Sequence, residues 1–337
     1  MPSIPSASVL RWAEKVLGRE ANVTVERSLH GSVSPWLLRV QQDGSTYPVV
    51  MRIPVPGRIA PAGIIMNAEA LILAERHNVP SPRLLACDRA GDEAGETVSL
   101  ETGLPGMSDF PDDLDPEQIR NVGIAMAKVH AIRLEPRRWL SPRSRPIQPD
   151  DYARDRRWAA LYQTTAEDHD DVLSAYLQIT EFPPDDPRAM LSHMQSTPLL
   201  LMADDIVRAY KQTDEPTVLL HGDLWPGNTR WNDGRFTALI DWKTAGVGNP
   251  GVDLGSMRLQ VALRYGPTAA TFVLEGWERQ MERQATDIAY WDAVAALNTP
   301  TIMEGWPDCD PISHPLGARA VTRRRDAFLN VAIGKIR

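Results

Sequence analysis

Residues 217–254, TVLLHGDLWPGNTRWNDGRFTALIDWKTAGVGNPGVDL, hold the densest set of side chains able to do chemistry together. An apolar run, Val218 to Leu220, leads into a polar loop with His221, Asp223 and Asn228, and a second run, Phe236 to Ile240, leads to Asp241. The Asn232-Asp233-Gly234 turn between them predicts a hairpin that brings Asp223, Asn228 and Asp241 to one end. That set suits phosphoryl transfer, which needs a carboxylate to orient and deprotonate an acceptor hydroxyl and oxygen ligands to hold Mg²⁺ against nucleotide phosphates. Asp223 is the candidate base, and Asn228 and Asp241 are the candidate metal ligands. An amide in place of a third carboxylate suits a site that must also admit anionic phosphates. A rival use of the same residues is a metal-dependent hydrolase with His221, Asp223 and Asp241 as ligands, which leaves Asn228 without a role.

The order H-G-D-x-x-x-x-N followed by I-D-W resembles the catalytic loop and metal-binding segment of the aminoglycoside phosphotransferase family, which is similar in fold to protein kinases. The resemblance implies an α+β, two-lobed fold with a small antiparallel-sheet N-terminal lobe and a mostly helical C-terminal lobe. The lobes would span 1–103 and 107–337, with a hinge near 101–106 and the active site between them. It implies ATP or GTP as phosphoryl donor, Mg²⁺, and a small-molecule hydroxyl as acceptor; antibiotics, choline, homoserine and sugar amines are acceptors within the family. By the same resemblance Asp223 is the base, Asn228 and Asp241 hold Mg²⁺, and Asp253 in NPGVDLG braces the loop from the next helix. Two residues depart from the pattern. Trp242 and Lys243 stand where protein kinases have Phe-Gly, so the glycine that lets that segment flip is missing and an always-assembled site is expected. Trp225 stands where many relatives have another residue.

The elements that must position these groups begin with a helix capped by Ser6 or Ser8 and running to about Leu17. Three strands follow, NVTVERSL, VSPWLLRVQQ and YPVVMRIP. The bend between the first two carries Gly31, Ser32, Val33 and Ser34, candidates to fold over nucleotide phosphates because glycine lets backbone N–H groups approach an anion. A glycine at a hairpin bend is equally an ordinary turn. Arg52, on the third strand, is the candidate cation for the α- and β-phosphates, where the kinase pattern has lysine; the alternative is an arginine snorkelling at a strand edge. Residues 61–78 read as a helix with Glu69 among apolar neighbours. The resemblance makes Glu69 the partner that orients Arg52, and an acid buried without a partner is costly in any case; without the resemblance an exposed glutamate fits as well. The apolar strand in TVSLETGLPG then reads as the linker between lobes, and the resemblance implies that Glu101, Thr102 and Gly103 offer backbone groups to the nucleotide base.

Asp115, Pro116 and Gln118 open a helix with a capping-box arrangement. His130, near that helix's end, reads as structural. Helical stretches at 151–178 and 197–212 occupy the region where family members insert acceptor-recognition helices. Their acids Asp150, Asp151, Asp155, Glu167, Asp168, Asp170 and Asp171 are candidates to line an amine-bearing substrate's site, or are simply solvated. A Pro- and Gly-rich loop with Glu304, Trp306, Asp308 and Asp310 is a candidate cover over such a substrate, or a plain surface loop.

Composition narrows the classes. The 337 residues, 43% hydrophobic and 24% charged, suit a globular protein long enough for two packed lobes. A formal charge of -8 argues against nucleic acid as partner. Cys87 and Cys309 form no disulfide framework and no zinc spacing. With no apolar run of membrane length and no signal segment, the expected setting is cytoplasmic and away from membrane. A nucleotide-binding protein without transferase activity is the remaining alternative.

Overall fold

The computed structural model describes residues 4–18, 20–30, 33–57, 59–113, 115–145, 151–165, 168–180, 183–303 and 318–336. Helix α1 (Ala7–Leu17) starts at Ser6, whose hydroxyl accepts the Val9 N–H at 3.3 Å, and its buried face is Val9, Trp12 and Ala13. Strands β1 (Asn22–His30), β2 (Val33–Gln42) and β3 (Ser45–Arg52) precede α2 (Pro61–Arg76), β4 (Leu84–Asp88) and β5 (Val98–Thr102). They form an antiparallel sheet in the order β1-β2-β3-β5-β4. Alternation dictates its inner face: Trp36, Leu38 and Val40 of β2 are buried with Val49, Met51 and Leu100 against the apolar side of α1.

The chain continues through α3 (Pro116–His130), β6 (Pro142–Arg143), α4 (Tyr152–Thr164), α5 (His169–Ile179), α6 (Pro187–His193) and α7 (Pro198–Ala209). Next come β7 (Val218–Leu220), a 3-10 turn at Pro226–Asn228, β8 (Thr229–Asn232), β9 (Arg235–Leu239) and β10 (Gly246–Gly248). Helices α8 (Gly251–Tyr265), α9 (Ala270–Met281), α10 (Ile288–Leu297) and α11 (Ala318–Ile336) complete it. A small antiparallel sheet at the N-terminal end and a helical remainder are thus as expected.

Three local readings change. The predicted hairpin between 218–220 and 236–240 does not form. Instead β7 pairs antiparallel with β10, and the Asn-Asp-Gly turn joins β8 to β9, with Asp233 and Gly234 both at positive φ. Thr229–Asn232 has one apolar residue in four, too little alternation to read as a strand. The helix expected over 151–178 is two helices, α4 and α5. Asp115 caps α3, but Gln118 does not reach back to it: its Oε1 accepts the Phe236 N–H at 3.0 Å and ties β9 to α3.

Two compact units are distinguished by internal packing. The first comprises Met1–Ser144, Pro216–Pro250 and Gly276–Glu282, and so contains all the catalytic, metal and nucleotide candidates. Within it His130 is buried and its Nδ1 accepts the Trp277 indole N–H at 2.9 Å, the structural role expected of it. The second comprises Arg145–Glu215, Gly251–Glu275 and Arg283–Arg337. Its core joins Leu259 and Leu263 of α8, Ala293 and Leu297 of α10, and Phe328 and Leu329 of α11. The buried Arg258–Asp292 pair joins α8 to α10 at 2.8 Å. Beyond α10, Arg325 donates at 2.8 Å to Thr299 Oγ1, Pro300 O and Thr301 O, satisfying polar groups that follow the helix end.

Candidate active site

The wholly buried β7 delivers the chain to His221, whose Nε2–H donates to Ile240 O at 2.9 Å and whose ring lies 4.6 Å from that of Trp242. Gly222 has φ +84°, and a Cβ there would run into the Thr244 carbonyl, so the two segments meet at a position only glycine can fill. The Trp225 indole occupies the place of a Gly227 Cβ, which settles its packing within the turn. That turn carries Asn228, whose Nδ2 donates to Asp223 O at 2.7 Å and to Asp223 Oδ2 at 3.1 Å. Asn228 O in turn accepts the Ile240 N–H at 2.9 Å, and Asp241 follows in left-handed backbone at φ 65°. Strand pairing and side-chain bonds thus carry Asp223, Asn228 and Asp241 into one neighbourhood.

Asp241 lies between two cations. Arg52 Nη1 donates to its Oδ1 at 2.8 Å, and Lys243 Nζ donates to its Oδ2. Arg52 also forks onto Glu101, through Nη2 to Oε1 at 3.0 Å and Nε to Oε2 at 3.3 Å. Asn67 of α2 completes a ring of contacts: its Nδ2 donates to Glu101 Oε2 at 2.8 Å, and its Oδ1 accepts the Trp242 N–H at 3.0 Å.

The electrostatics follow from this layout. Burial raises the Asp223 carboxyl above the ordinary value, and Lys243 and His221 only partly oppose it. Burial would raise Asp241 too, but Arg52 and Lys243 prevail and hold it down to about 2. Burial would lower Arg52, but Glu101 and Asp241 outweigh it and lift the guanidinium above its ordinary value. The site therefore holds one acid poised to take a proton and one kept ionised.

Arg52, Glu101, Asp223, Asn228 and Asp241 are brought together; Glu69 is not. It pairs with Arg89, and with Arg137 at 3.3 Å. The helix repeat sets residues two apart about 200° around the axis, so with Asn67 facing Arg52's partner, Glu69 faces away. The acid on Arg52 comes from the strand β5, and its side chain rather than its backbone makes the contact. Asn67 was missed, although an amide between Met66 and Ala68 on an apolar helix raises the same need for a partner that singled out Glu69.

The remaining nucleotide candidates divide. Gly31 and Ser32 lie outside the described residues. Val33 opens β2 half-buried, and the buried Ser34 hydroxyl accepts the Ile53 N–H at 2.9 Å, which ties it into the sheet. In the linker the Thr102 N–H donates to Arg83 O at 2.9 Å and the Gly103 N–H to Pro48 O at 3.1 Å. Those two donors are held by the sheet itself, contrary to their expected offer to a nucleotide base. Downstream, Arg230 donates to Leu104 O at 2.8 Å, and Met107 exchanges backbone bonds of 2.8 and 2.9 Å with Trp231, latching the linker to β8.

The residues present fit a Mg²⁺ ion of the kind the fold implies. Asp241 is an ionised oxygen donor, and Asn228, with its Nδ2 turned to Asp223, has its amide oxygen left for a cation. Among the described residues no group of three or more His, Cys, Asp or Glu side chains could hold a metal ion, so the His221, Asp223 and Asp241 trio of a hydrolase is not formed.

Of the acids expected at an acceptor, Asp151 pairs with Arg145, Asp155 with Arg154 at 2.8 Å and Asp170 with Arg188 at 2.7 Å. Asp168 and Asp171 stand at the start of α5. Asp150, Glu167, Glu304, Trp306, Asp308 and Asp310 lie outside the described residues. Asp253, in the first turn of α8, is buried.

An arginine on the third strand of a small antiparallel sheet, a half-buried aspartate in a His-Gly-Asp loop and an aspartate after a following strand define the protein-kinase-like class of phosphotransferase fold. The chain belongs to the phosphotransferase enzyme family, whose profile matches residues 28–297, and it is accordingly a small-molecule kinase. A Ralstonia eutropha JMP134 protein that carries the aminoglycoside phosphotransferase name has a similar crystal structure, with TM-score 0.55, 15% identity, and 98% of this chain and 97% of that one covered. The macrolide 2'-phosphotransferase MphH of Brachybacterium faecium is similar at TM-score 0.52 and 16% identity, over 95% of this chain and 97% of that one. At such identities the likeness is one of fold. No curated protein matches the sequence.

Proposed function

We propose that the enzyme transfers the γ-phosphoryl of ATP or GTP to a hydroxyl of a small molecule, with Asp223 as general base and Asn228 and Asp241 as ligands of Mg²⁺. The observation that carries this is the bond from Asn228 Nδ2 to Asp223 Oδ2, which joins the base to the metal position. Asp223, its pKa raised by burial, accepts the proton of the acceptor hydroxyl; Asn228 fixes that carboxylate's direction. Arg52 holds Asp241 in place, and Glu101 and Asn67 hold Arg52 and the Trp242 backbone. When bound, Mg²⁺ supplies charge neutralisation and alignment of the nucleotide phosphates.

An antibiotic acceptor is supported by the aminoglycoside and macrolide names of the two similar structures. The test is ADP or GDP release over a panel of macrolides, aminoglycosides, choline, homoserine and sugars. Release that depends on one compound and on Asp223, with one phosphoryl mass gained by that compound, supports the reading; Mg²⁺-nucleotide turnover that persists in Asp223→Asn overturns the assigned base.

A further inference from the structure

A nucleoside triphosphate needs positive charge from the protein in addition to its metal. The third-strand arginine expected to supply it is engaged elsewhere. Arg52 has a side chain 7% exposed, with Nε and Nη2 on Glu101 and Nη1 on Asp241, so one guanidinium is matched by two carboxylates. Its surroundings suit a brace for Asp241 better than a grip on a mobile anion.

Lys243 differs on each count. Its side chain is 33% exposed, and its ammonium meets Asp241 Oδ2. An ammonium carries three donors on a flexible four-carbon stem, so this contact leaves two N–H groups for other acceptors. That contact sets it beside Asp241, which Arg52 holds from the other carboxylate oxygen. On the proposed function the terminal phosphate is held by the metal on Asp241, so a cation beside Asp241 is placed to meet it. The backbone beside Lys243 is tied down: the Trp242 N–H donates to Asn67 Oδ1 at 3.0 Å and the Ala245 N–H to Trp242 O at 3.0 Å. A fixed base and a swinging stem are what a phosphate-seeking side chain requires.

Resting on the reading of this site as a nucleotide phosphotransferase, we propose that Lys243 is the cation that binds the terminal phosphate. Its ammonium leaves Asp241 Oδ2 for an oxygen of that phosphate, while Arg52 stays as the positioning residue on Asp241. The chain has 36 lysines and arginines, and this position holds one of its few lysines, the compact and mobile type of cation.

The experiment is calorimetric titration of wild type, K243M, K243Q and K243R with Mg·ADP and with the Mg²⁺ complex of the β,γ-imido analogue of ATP, repeated with the guanine forms. Thermal unfolding of each variant without ligand checks that it folds. The expected result is about a tenfold weaker affinity for the triphosphate analogue in K243M and K243Q, with the diphosphate changed less than about twofold and K243R recovering most of the loss. Equal losses for both nucleotides, or none, would overturn the proposal while leaving the phosphotransferase reading intact. Wild type that binds neither nucleotide would remove both at once.

Discussion

Asp223 is a carboxylate held where its charge is disfavoured. Its folded pKa is raised, so the ionised form weakens the folded state above that pKa, and the penalty lifts as pH falls through it. Asp223→Asn should therefore lower turnover by about 10²- to 10⁴-fold and, at neutral pH, raise the thermal midpoint. A lowered midpoint would show that the charge is better compensated than its burial implies. The acid limb of kcat/KM should fall at a pH above about 3.9, the ordinary aspartate value, and a profile flat down to pH 4 would exclude Asp223 as the base. Asp223, Asn228 and Asp241 were legible in the sequence because they lie within 19 positions, each beside a strand or a turn that announces itself. Asn67 was not, because its role depends on the phase of α2 against the strand β5, which no local pattern records.

At the scale of elements, Arg52's partner arrives on a strand where a helix residue was expected. Removing one member of a buried, hydrogen-bonded ion pair costs about 3–5 kcal/mol, whereas half-exposed pairs contribute about 0.2–1 kcal/mol. Glu101→Gln should thus lower the urea midpoint strongly and weaken Mg·nucleotide binding, and Glu69→Gln should change both little. The reverse order would restore the helix glutamate to the site. The sheet was legible because β1, β2 and β3 are rich in β-branched and aromatic residues and their turns carry Gly or Asp-Gly. The pairing of β7 with β10 was not: three-residue strands carry too little pattern to name their neighbour. The committed N–H groups of Thr102 and Gly103 were beyond reach for a different reason, since a backbone bond leaves no trace in side-chain type.

At the scale of the molecule, the fold is recognisable in structures of 15–16% identity because the order of elements outlasts their residues. Among the described residues no helix is long and apolar enough to cross a membrane. Two measurements address the whole fold. Asp241, depressed to about 2, stabilises the folded state fully above about pH 3.9, and that contribution is lost as pH falls toward 2. The stability gap between wild type and Asp241→Asn should close over that window, and a gap unchanged by pH would deny the ion pairs their share. Saturating Mg·nucleotide at a hundred times its Kd should add about 2.7 kcal/mol of stability, reversed by EDTA, while Mg²⁺ alone should add little. The ring that joins Arg52, Glu101, Asn67 and the Trp242 backbone has a consequence for inhibition. Trp242 is fully buried, and its amide is tied to α2 through Asn67, so the segment that follows Asp241 is packed against that helix. An inhibitor of the proposed transfer is therefore expected to meet a closed wall on that side and to compete for the nucleotide or the acceptor position.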